Sequence, residues 1–388
     1  MPFTSQDDLL AQITAGKYLR ANSTKQTAPV ANSSGWHCLA GANGYPTAST
    51  YPSAQDLVFR SVDEVAGDGT TVLGIQHGGI PGGNATKHIV NVGANAVAAA
   101  GAPWQLKLVD LQCYYRFSGA NVTGTGARTL INSNTVSASS STGLLLTYTN
   151  DFNTYTKVRF TTTGTLPVGL SVDTDYWLVR QNATTAKVAT SYANALAGTV
   201  IAYTDGGSGT HTMMCQTPRA VNGVGCEAFF VVQTLPTAGG PTISASAYDD
   251  TATYSGAGTR AFPGTPTFNA TADSYLLRIP HSGNAAGRYG PFLPKQGGDK
   301  GIARINSVTL SGGTAYTGAG VLALCIVKPL LDIALPATGL WCERDLVNQL
   351  PSLPKVDDGA CLVWMMFGTG ATTTLTPVAT TLDFAWGG

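Results

Sequence analysis

The chain has 388 residues, of which 43% are apolar and only 11% charged, and its formal net charge is zero. That length and apolar content suit two packed bodies, or one body with an insertion, and exclude a mostly disordered chain. Glutamate occurs only at Glu64, Glu227 and Glu343, and no run of Lys and Arg exists; binding of nucleic acid through a basic face, which needs several cations together, is excluded.

The first segment reads as a helix. Ser5 caps it with Asp8 three residues on, Leu9, Leu10 and Ile13 form one stripe, and Gly16 ends it. Residues Ala21–Ser34 follow as a polar arm, so residues 1–34 form a helix and arm that either dock on a partner or pack on their own domain. The start has no basic segment leading into an apolar core, so no signal peptide is expected and synthesis in the cytosol is. Beyond the arm the signals are β: Asp56–Ser61, Thr71–Gln76, Trp104–Phe117, Ala228–Thr234, Ser274–Pro280, Ile302–Leu310, Gly320–Val327 and Cys361–Phe367. These runs are rich in β-branched and aromatic residues and are bounded by Gly, Pro, Asn or Asp. A second short helix is expected at Glu343–Leu350. The stretch Gly320–Pro336 is broken by Lys328, Pro329 and Asp332 and is too short to span a bilayer, so no membrane partner is expected.

Residues 133–214 differ in texture. A Ser/Thr-rich lead, Asn132–Thr142, is followed by five short strand signals at Gly143–Tyr148, Lys157–Thr162, Tyr176–Arg180, Ala186–Ala189 and Thr199–Tyr203, closed by Gly206–Gly209. This is enough for a small β module inserted at a loop tip, where lengthening a loop costs little, about 0.6 kcal/mol per doubling. The body then comprises residues 35–132 and 215–388, with Glu227–Gln233 expected to pair with Trp104–Phe117. The fold class read from the spacing is all-β: an antiparallel β-sandwich or jelly-roll-like body, an inserted small β domain and a short N-terminal helix.

Candidate chemistry is sparse. The seven cysteines show no CxxC spacing, which argues against a structural zinc site. Cys325 and Cys361 lie in apolar runs and read as core thiols, while disulfides formed later stay open. His37 and Cys38 are adjacent in an extended segment, so their side chains diverge and a catalytic pair is disfavoured. His77 and His88 flank a Gly-rich loop and could meet as metal ligands, against the commoner reading as turn residues; His281 reads as a turn residue. Gly124–Gly126 and Gly256–Gly258 open no helix and read as turns. Asp173 with Asp175, or Asp249 with Asp250, could bind calcium or act as paired acids, but nothing places them across a cleft. Tyr114–Tyr115 and Tyr176–Trp177 could form a sugar platform, although aromatics on strands are more often core or interface anchors. No catalytic, cofactor-binding or metal residue is assigned.

Within residues 143–214 the series Gly164–Leu170, Asp175–Val179, Lys187–Ser191, Ala195–Gly198 and Gly207–Thr212 resembles a small β module grafted into phage tail and other virion structural proteins. The body, through Leu108–Tyr115, Tyr289–Gly301, Ile305–Val308, Val327–Leu330 and Leu353–Ala360, resembles a family of phage structural proteins. These resemblances imply a non-enzymatic virion component of a tailed bacteriophage, made in the host bacterial cytoplasm, with a head decoration or cement role. The implied partners are the major capsid protein, other virion subunits or copies of itself, a trimer among them. They bring no cofactor and no catalytic residues. A tail, neck or baseplate component that binds a receptor glycan is the alternative, and a depolymerase is a weaker third reading that the scarcity of glutamate argues against.

Overall fold

The computed structural model describes residues 3–25, 35–38, 59–61, 74–75, 77, 87–96, 104–118, 128–131, 134–141, 143–148, 152, 154–234, 242–248, 259–261, 279, 291–295, 298–311, 321–357, 359–368 and 378–387. Helix α1 (Gln6–Thr14) leads to strands β1 (Tyr18–Lys25), β2 (Gly35–Cys38), β3 (Phe59–Ser61), β4 (Lys87–Ala96) and β5 (Trp104–Ser118). Next come β6 (Arg128–Ile131), β7 (Asn134–Ser141), β8 (Gly143–Thr147), β9 (Lys157–Thr162), β10 (Tyr176–Asn182), β11 (Thr185–Ala189), helix α2 (Tyr192–Leu196) and β12 (His211–Cys215). The last are β13 (Glu227–Thr234), β14 (Thr242–Tyr248), β15 (Thr259–Ala261), β16 (Arg304–Ser311), β17 (Val321–Leu335), β18 (Cys342–Asp345), β19 (Lys355–Val356), β20 (Leu362–Gly368) and β21 (Val378–Trp386).

Every ladder between described strands is antiparallel, and the fold is all-β with a short N-terminal helix. One sheet runs β13-β17-β5-β20-β2, with β3 also on β5. A second runs β1-β21-β4-β18, with β19 also on β4. Their facing sides share one core: Val92, Ala94, Leu382 and Phe384 from the second sheet meet Leu106, Leu108, Ile333, Trp364 and Met366 from the first. This is a sandwich. The first sheet is buried on its other face too, where Val109, Leu111, Phe229, Cys325 and Met365 pack with Ile279 and Phe292. A strand covered on both faces reads as a continuous apolar run, which is why β5, β17 and β20 are legible in the sequence. A smaller sheet has the order β15-β14-β16-β6.

Residues Asn134 to Cys215 close into a barrel of order β10-β11-β8-β7-β12-β9. Alternate side chains fill it: Leu144 and Leu146, Val158 and Phe160, Tyr176 and Leu178, Ala186 and Val188, and Met213 are all buried. The Ser/Thr-rich lead forms β7, because its hydroxyls alternate with Val136 facing inward. Thr199–Tyr203 is not a strand. α2 intervenes, and only Ile201 reaches the ladder, its N–H donating to Val188 O at 2.8 Å and its carbonyl accepting from Leu144 N–H at 2.8 Å.

Four further expectations are corrected. Leu10 is not part of a buried stripe; it is 62% exposed, whereas Leu9 is 3% exposed. The start of the polar arm, Ala21–Lys25, is part of β1, paired along its length with β21; Ala21 faces the core, and on the same face Ser23 Oγ lies 2.7 Å from the Thr380 hydroxyl. Residues 26–34 lie outside the described residues. Glu343–Leu350 is not a helix: residues through Asp345 pair with β4, and a 3-10 turn follows at Val347–Ser352, with Asp345 Oδ1 accepting from Val347 N–H at 2.8 Å. The ladder at the sheet margin outweighs local helical preference. Finally, β13 pairs with β17 and not with β5, since β17 lies between them. Of the other runs, only Phe59–Ser61 of Asp56–Ser61, residues 74–75 of Thr71–Gln76 and Ile279 of Ser274–Pro280 are described.

α1 itself forms as read: Ser5 Oγ accepts from Asp8 N–H at 3.1 Å, and Gly16 takes a positive φ of 79° beyond its end. Truncating Leu9 to Ala is expected to lower unfolding stability by about 2–3 kcal/mol. Leu10→Ala is expected to change it by no more than about 0.5 kcal/mol. Chemical denaturation of the two variants checks the assignment of faces.

Candidate functional site

The most structured polar site is the junction where the barrel re-enters the body. β5 and β17 pair over fifteen residues each, with two breaks in register. At one of them Gln112 is the extra residue of β5; at the other Leu330 is the extra residue of β17, beside Pro329, which has no N–H to give the ladder. Asp110 and Gln112 are 2% and 0% exposed. Arg219, four residues beyond the end of β12, grips the Asp110 carboxylate with both arms of its guanidinium, Nε to Oδ2 at 3.0 Å and Nη2 to Oδ1 at 2.7 Å. Nη2 also donates to Leu111 O at 2.7 Å, and the Arg219 backbone N–H donates to Gln112 Oε1 at 3.0 Å. Gln112 Nε2 donates to Asp110 Oδ2, and Cys361 N–H donates to Asp110 Oδ1 at 3.0 Å. The carboxylate's acceptor sites are thus filled from its own strand and from two distant parts of the chain.

Around this pair the exit segment is sewn to residues 300–303. Thr217 N–H donates to Ala303 O at 2.9 Å, Gly225 N–H to Lys300 O at 3.0 Å and Ile302 N–H to Gly223 O at 3.0 Å. The approach is so close that a Cβ on Gly301 would lie 2.0 Å from Gly223 O. On the barrel side Lys157 Nζ reaches Ala220 O at 3.3 Å and Asp175 at 3.5 Å. Arg159 pairs with Asp175 and donates to Asn222 Oδ1 at 2.9 Å. Burial pulls the Lys157 ammonium below its ordinary value despite Asp175. Burial pushes the Asp175 carboxyl up, but two cations, Arg159 and Lys157, outweigh it and hold it low. Cys113, Cys215 and Cys226 belong to the same apolar cluster. Burial raises the Cys113 thiol well above its usual range and pushes Cys226 up to about 12, so at neutral pH both are inert thiols and not nucleophiles. The arrangement fixes chain segments; it exposes no reacting group.

Of the residues singled out in the sequence, Asp175 lies at the barrel side of this junction. Asp175 is committed to Lys157 and Arg159, and Asp173 occupies a turn at φ 57°. His77 Nε2 donates to Ala360 O at 2.8 Å, while its Nδ1 faces Lys87 Nζ at 3.1 Å; Lys87 also donates to His77 O at 2.7 Å. His88 packs edge-on against Phe3 with ring centroids 5.8 Å apart. Among the described residues no group of three His, Cys, Asp or Glu is placed to hold a metal ion. His37 and Cys38 are both buried. Tyr114, Tyr115 and Tyr176 are buried core residues, Tyr176 Oη accepting from Ser171 N–H at 2.8 Å. Gly124–Gly126, Gly256–Gly258, His281, Asp249 and Asp250 lie outside the described residues. Two features were missed. The sequence signal for the first was Asp110, a lone carboxylate inside an apolar run, which demands a buried partner. The second is Trp341, 44% exposed and laid over Gly93, which had no sequence signal because the glycine lies far away in the chain.

No protein-family model matches the chain, and no curated protein matches it. Among solved structures, the structure of infectious bursal disease virus Gx strain aligns over 95% of this chain and 80% of that chain, at 10% identity and a TM-score of 0.16. The infectious bursal disease virus VP2 subviral particle aligns over 95% and 80%, at 9% identity and a TM-score of 0.19. This weak likeness is to proteins of virus particles, and TM-scores of this size do not establish a shared fold.

Removing one member of the buried pair leaves the other uncompensated. Arg219→Met is expected to destabilise the chain by about 3–5 kcal/mol, and restoring neutrality with Asp110→Leu in the same chain to recover much of that loss. Thermal and denaturant unfolding of the single and double variants measures the coupling.

Acid adds an independent check. At Asp383, burial raises the carboxyl, but hydrogen bonds from Arg20, Tyr18 and Asn91 outweigh it and hold it below the ordinary 3.8. Asp175 is lowered likewise. Groups with depressed folded values stabilise above the unfolded value, and that contribution fades as pH falls through the folded one. Stability is therefore expected to hold down to about pH 4 and to decline below it, less steeply in Asp383→Asn. Unfolding midpoints between about pH 2 and 6 test the sign.

Proposed function

We propose that the chain is a non-enzymatic structural subunit of a virion, a decoration or cement protein on the head surface of a tailed bacteriophage, made in the host bacterial cytoplasm. The observation that carries the assembly reading is where its few charges go. Arg20 pairs with Asp383, Lys107 with Asp332, Arg159 with Asp175, Arg219 with Asp110, Lys295 with Glu227 and Lys355 with Asp357. The chain is only 11% charged and has zero net charge, so its exterior is sparsely charged, and these pairs offset several of the charges it does carry. A monomer that must stay apart from its copies ordinarily keeps net charge at its surface. A neutral exterior suits burial against neighbours, where charge is depleted at the contact core. Exposed apolar side chains at Leu10, Val168, Val172, Leu196, Val221 and Leu340 add anchors for such contacts. An interface of about 1,600 Å² per contact, repeated under closed symmetry, can hold a shell without one strong bond. Phage origin rests on the submotif resemblances of the barrel and body. The partners are then the major capsid protein, other virion subunits or copies of the chain, with a trimer among the closed forms.

A second reading, a tail, neck or baseplate component, is favoured by the barrel, a closed six-stranded unit whose loops expose Val168 and Val172. Copy number separates the two. On this proposal, densitometry of purified particles gives hundreds of copies, and sedimentation of the isolated chain gives a concentration-dependent oligomer. Between three and about eighteen copies places it in the tail or neck. A stable monomer absent from particles overturns both readings.

A further inference from the structure

The outer face of the sheet β1-β21-β4-β18 carries an unusual arrangement. Register places Asn22, Thr381, Gly93 and Glu343 in one row across four strands, and Arg20, Asp383, Asn91 and Asp345 in the next. Side chains directly opposite in an antiparallel ladder share a face. Trp341, just before β18, leans into this face. An ideal Cβ on Gly93 would lie 2.4 Å from Trp341 Cζ2, 2.9 Å from Cε2 and 2.7 Å from Thr381 Oγ1. The indole therefore rests on bare backbone, in space that only glycine leaves. It is 44% exposed and is not among the side chains that build the sandwich core. A single exposed apolar side chain is ordinary; what singles out Trp341 is that it is seated over glycine and flanked by amide oxygens unpaired among the described residues.

We propose that this face binds a neutral, hydroxyl-rich oligosaccharide, with Trp341 as the stacking platform. A pyranose ring has an apolar C–H face that matches an indole, and equatorial hydroxyls that need donors and acceptors at its rim. The rim here is polar: Asn22, Asn91, Asn95, Thr381 and Glu343. The Oδ1 atoms of Asn91 and Asn95 are covered and accept no hydrogen bond among the described residues. An amide acceptor left so is costly, and a ligand carrying hydroxyl donors relieves that cost once the amides turn toward it. Charge sets the class of sugar. Arg20 is held by Asp383 through two hydrogen bonds of 2.6 and 2.7 Å, and Asn91 donates to Asp383 and to Glu343. Glu343 and Asp345 remain exposed, so the face is acidic and repels uronate or sialylated chains. Next to Trp341 in the turn only Leu340, 50% exposed, adds a large exposed apolar side chain, and a protein contact centred on Trp341 is an outcome that sedimentation distinguishes. The site lies on the body, on strands apart from the barrel, and does not depend on where in a particle the chain sits.

The test is titration calorimetry of the full chain with chitohexaose, cellohexaose and maltohexaose, with polygalacturonate as the acidic control. Saturable binding of at least one neutral oligosaccharide, and none of polygalacturonate, is expected. Trp341→Ala is expected to weaken binding by about tenfold or more, Trp341→Phe by less. Because Trp341 stands outside the core, Trp341→Ala is expected to unfold at the wild-type temperature, which separates lost binding from lost folding. No neutral binding up to about millimolar concentration, or binding unchanged in Trp341→Ala, overturns the proposal. So does a Trp341→Ala variant that loses self-association in sedimentation while no oligosaccharide binds, since the residue is then a protein contact. The copy number of the chain in particles is a separate measurement and stands or falls independently.

Discussion

A carboxylate cannot stay ionised inside a sheet covered on both faces unless a cation and several N–H groups come to it. Asp110 sits in the middle of β5, the strand that carries the body, and its partners come from the same strand, from the segment leaving the barrel and from the start of β20. That demand orders much else. The extra residue at Gln112 lets β5 present two polar side chains to Arg219 without losing its ladder to β17. The Arg219 guanidinium fixes where the chain resumes after the barrel, and the glycine-to-glycine approach of Gly223 and Gly301 closes the seam. Such a pair adds little net stability compared with an apolar replacement, but it selects one arrangement over others, because every misplacement strands a charge.

The same economy of charge reaches the surface. A globular chain ordinarily keeps most of its ionised groups exposed, where pairing is worth little. Here Asp110 and Asp383 are nearly fully buried and each is held by an arginine. Some ions stay exposed, Glu343, Arg344 and Asp345 among them, but a chain that is only 11% charged leaves a sparsely charged surface. The physical cost of leaving water is lower for such a surface than for a charged one, which is the property a subunit needs if its neighbours are to cover it.

Much of the fold was legible because strands buried on both faces are written as unbroken apolar runs; β5, β13, β17 and β20 could be read this way. The half-covered strands were not. β4, with the sequence Lys87–Ala96, and β21 mix small and polar residues with the few that reach the core, such as Val92, Ala94, Leu382 and Phe384, and β1 reads as a polar arm until its partner β21 is known. The helix expected at Glu343–Leu350 failed for a related reason: those residues look helical alone, but the margin of a sheet offers a ladder that no local pattern reveals. Among candidate sites, the paired aromatics drew notice where they are core, while the exposed indole did not. Trp341 gains its meaning from Gly93, some 250 residues earlier, and nothing local to either residue announces the contact.

The barrel shows how a closed unit can be joined to the rest of the chain. Its first and last strands, β7 and β12, are ladder partners, so the chain enters and leaves at neighbouring points. A loop tip that accepts such a unit pays only for closing a longer loop, because entry and exit were close before. Polar ties hold it: Lys157 on β9 reaches the carbonyl of Ala220 and Arg159 the side chain of Asn222, both in the segment that Arg219 anchors to β5. Apolar packing holds it as well, because the barrel interior, filled by side chains from all six strands, is continuous with Cys113, Tyr115, Phe230, Leu324 and Ile326 of the body. A change at Arg219 would therefore loosen the exit segment first, while the shared apolar cluster still ties barrel to body.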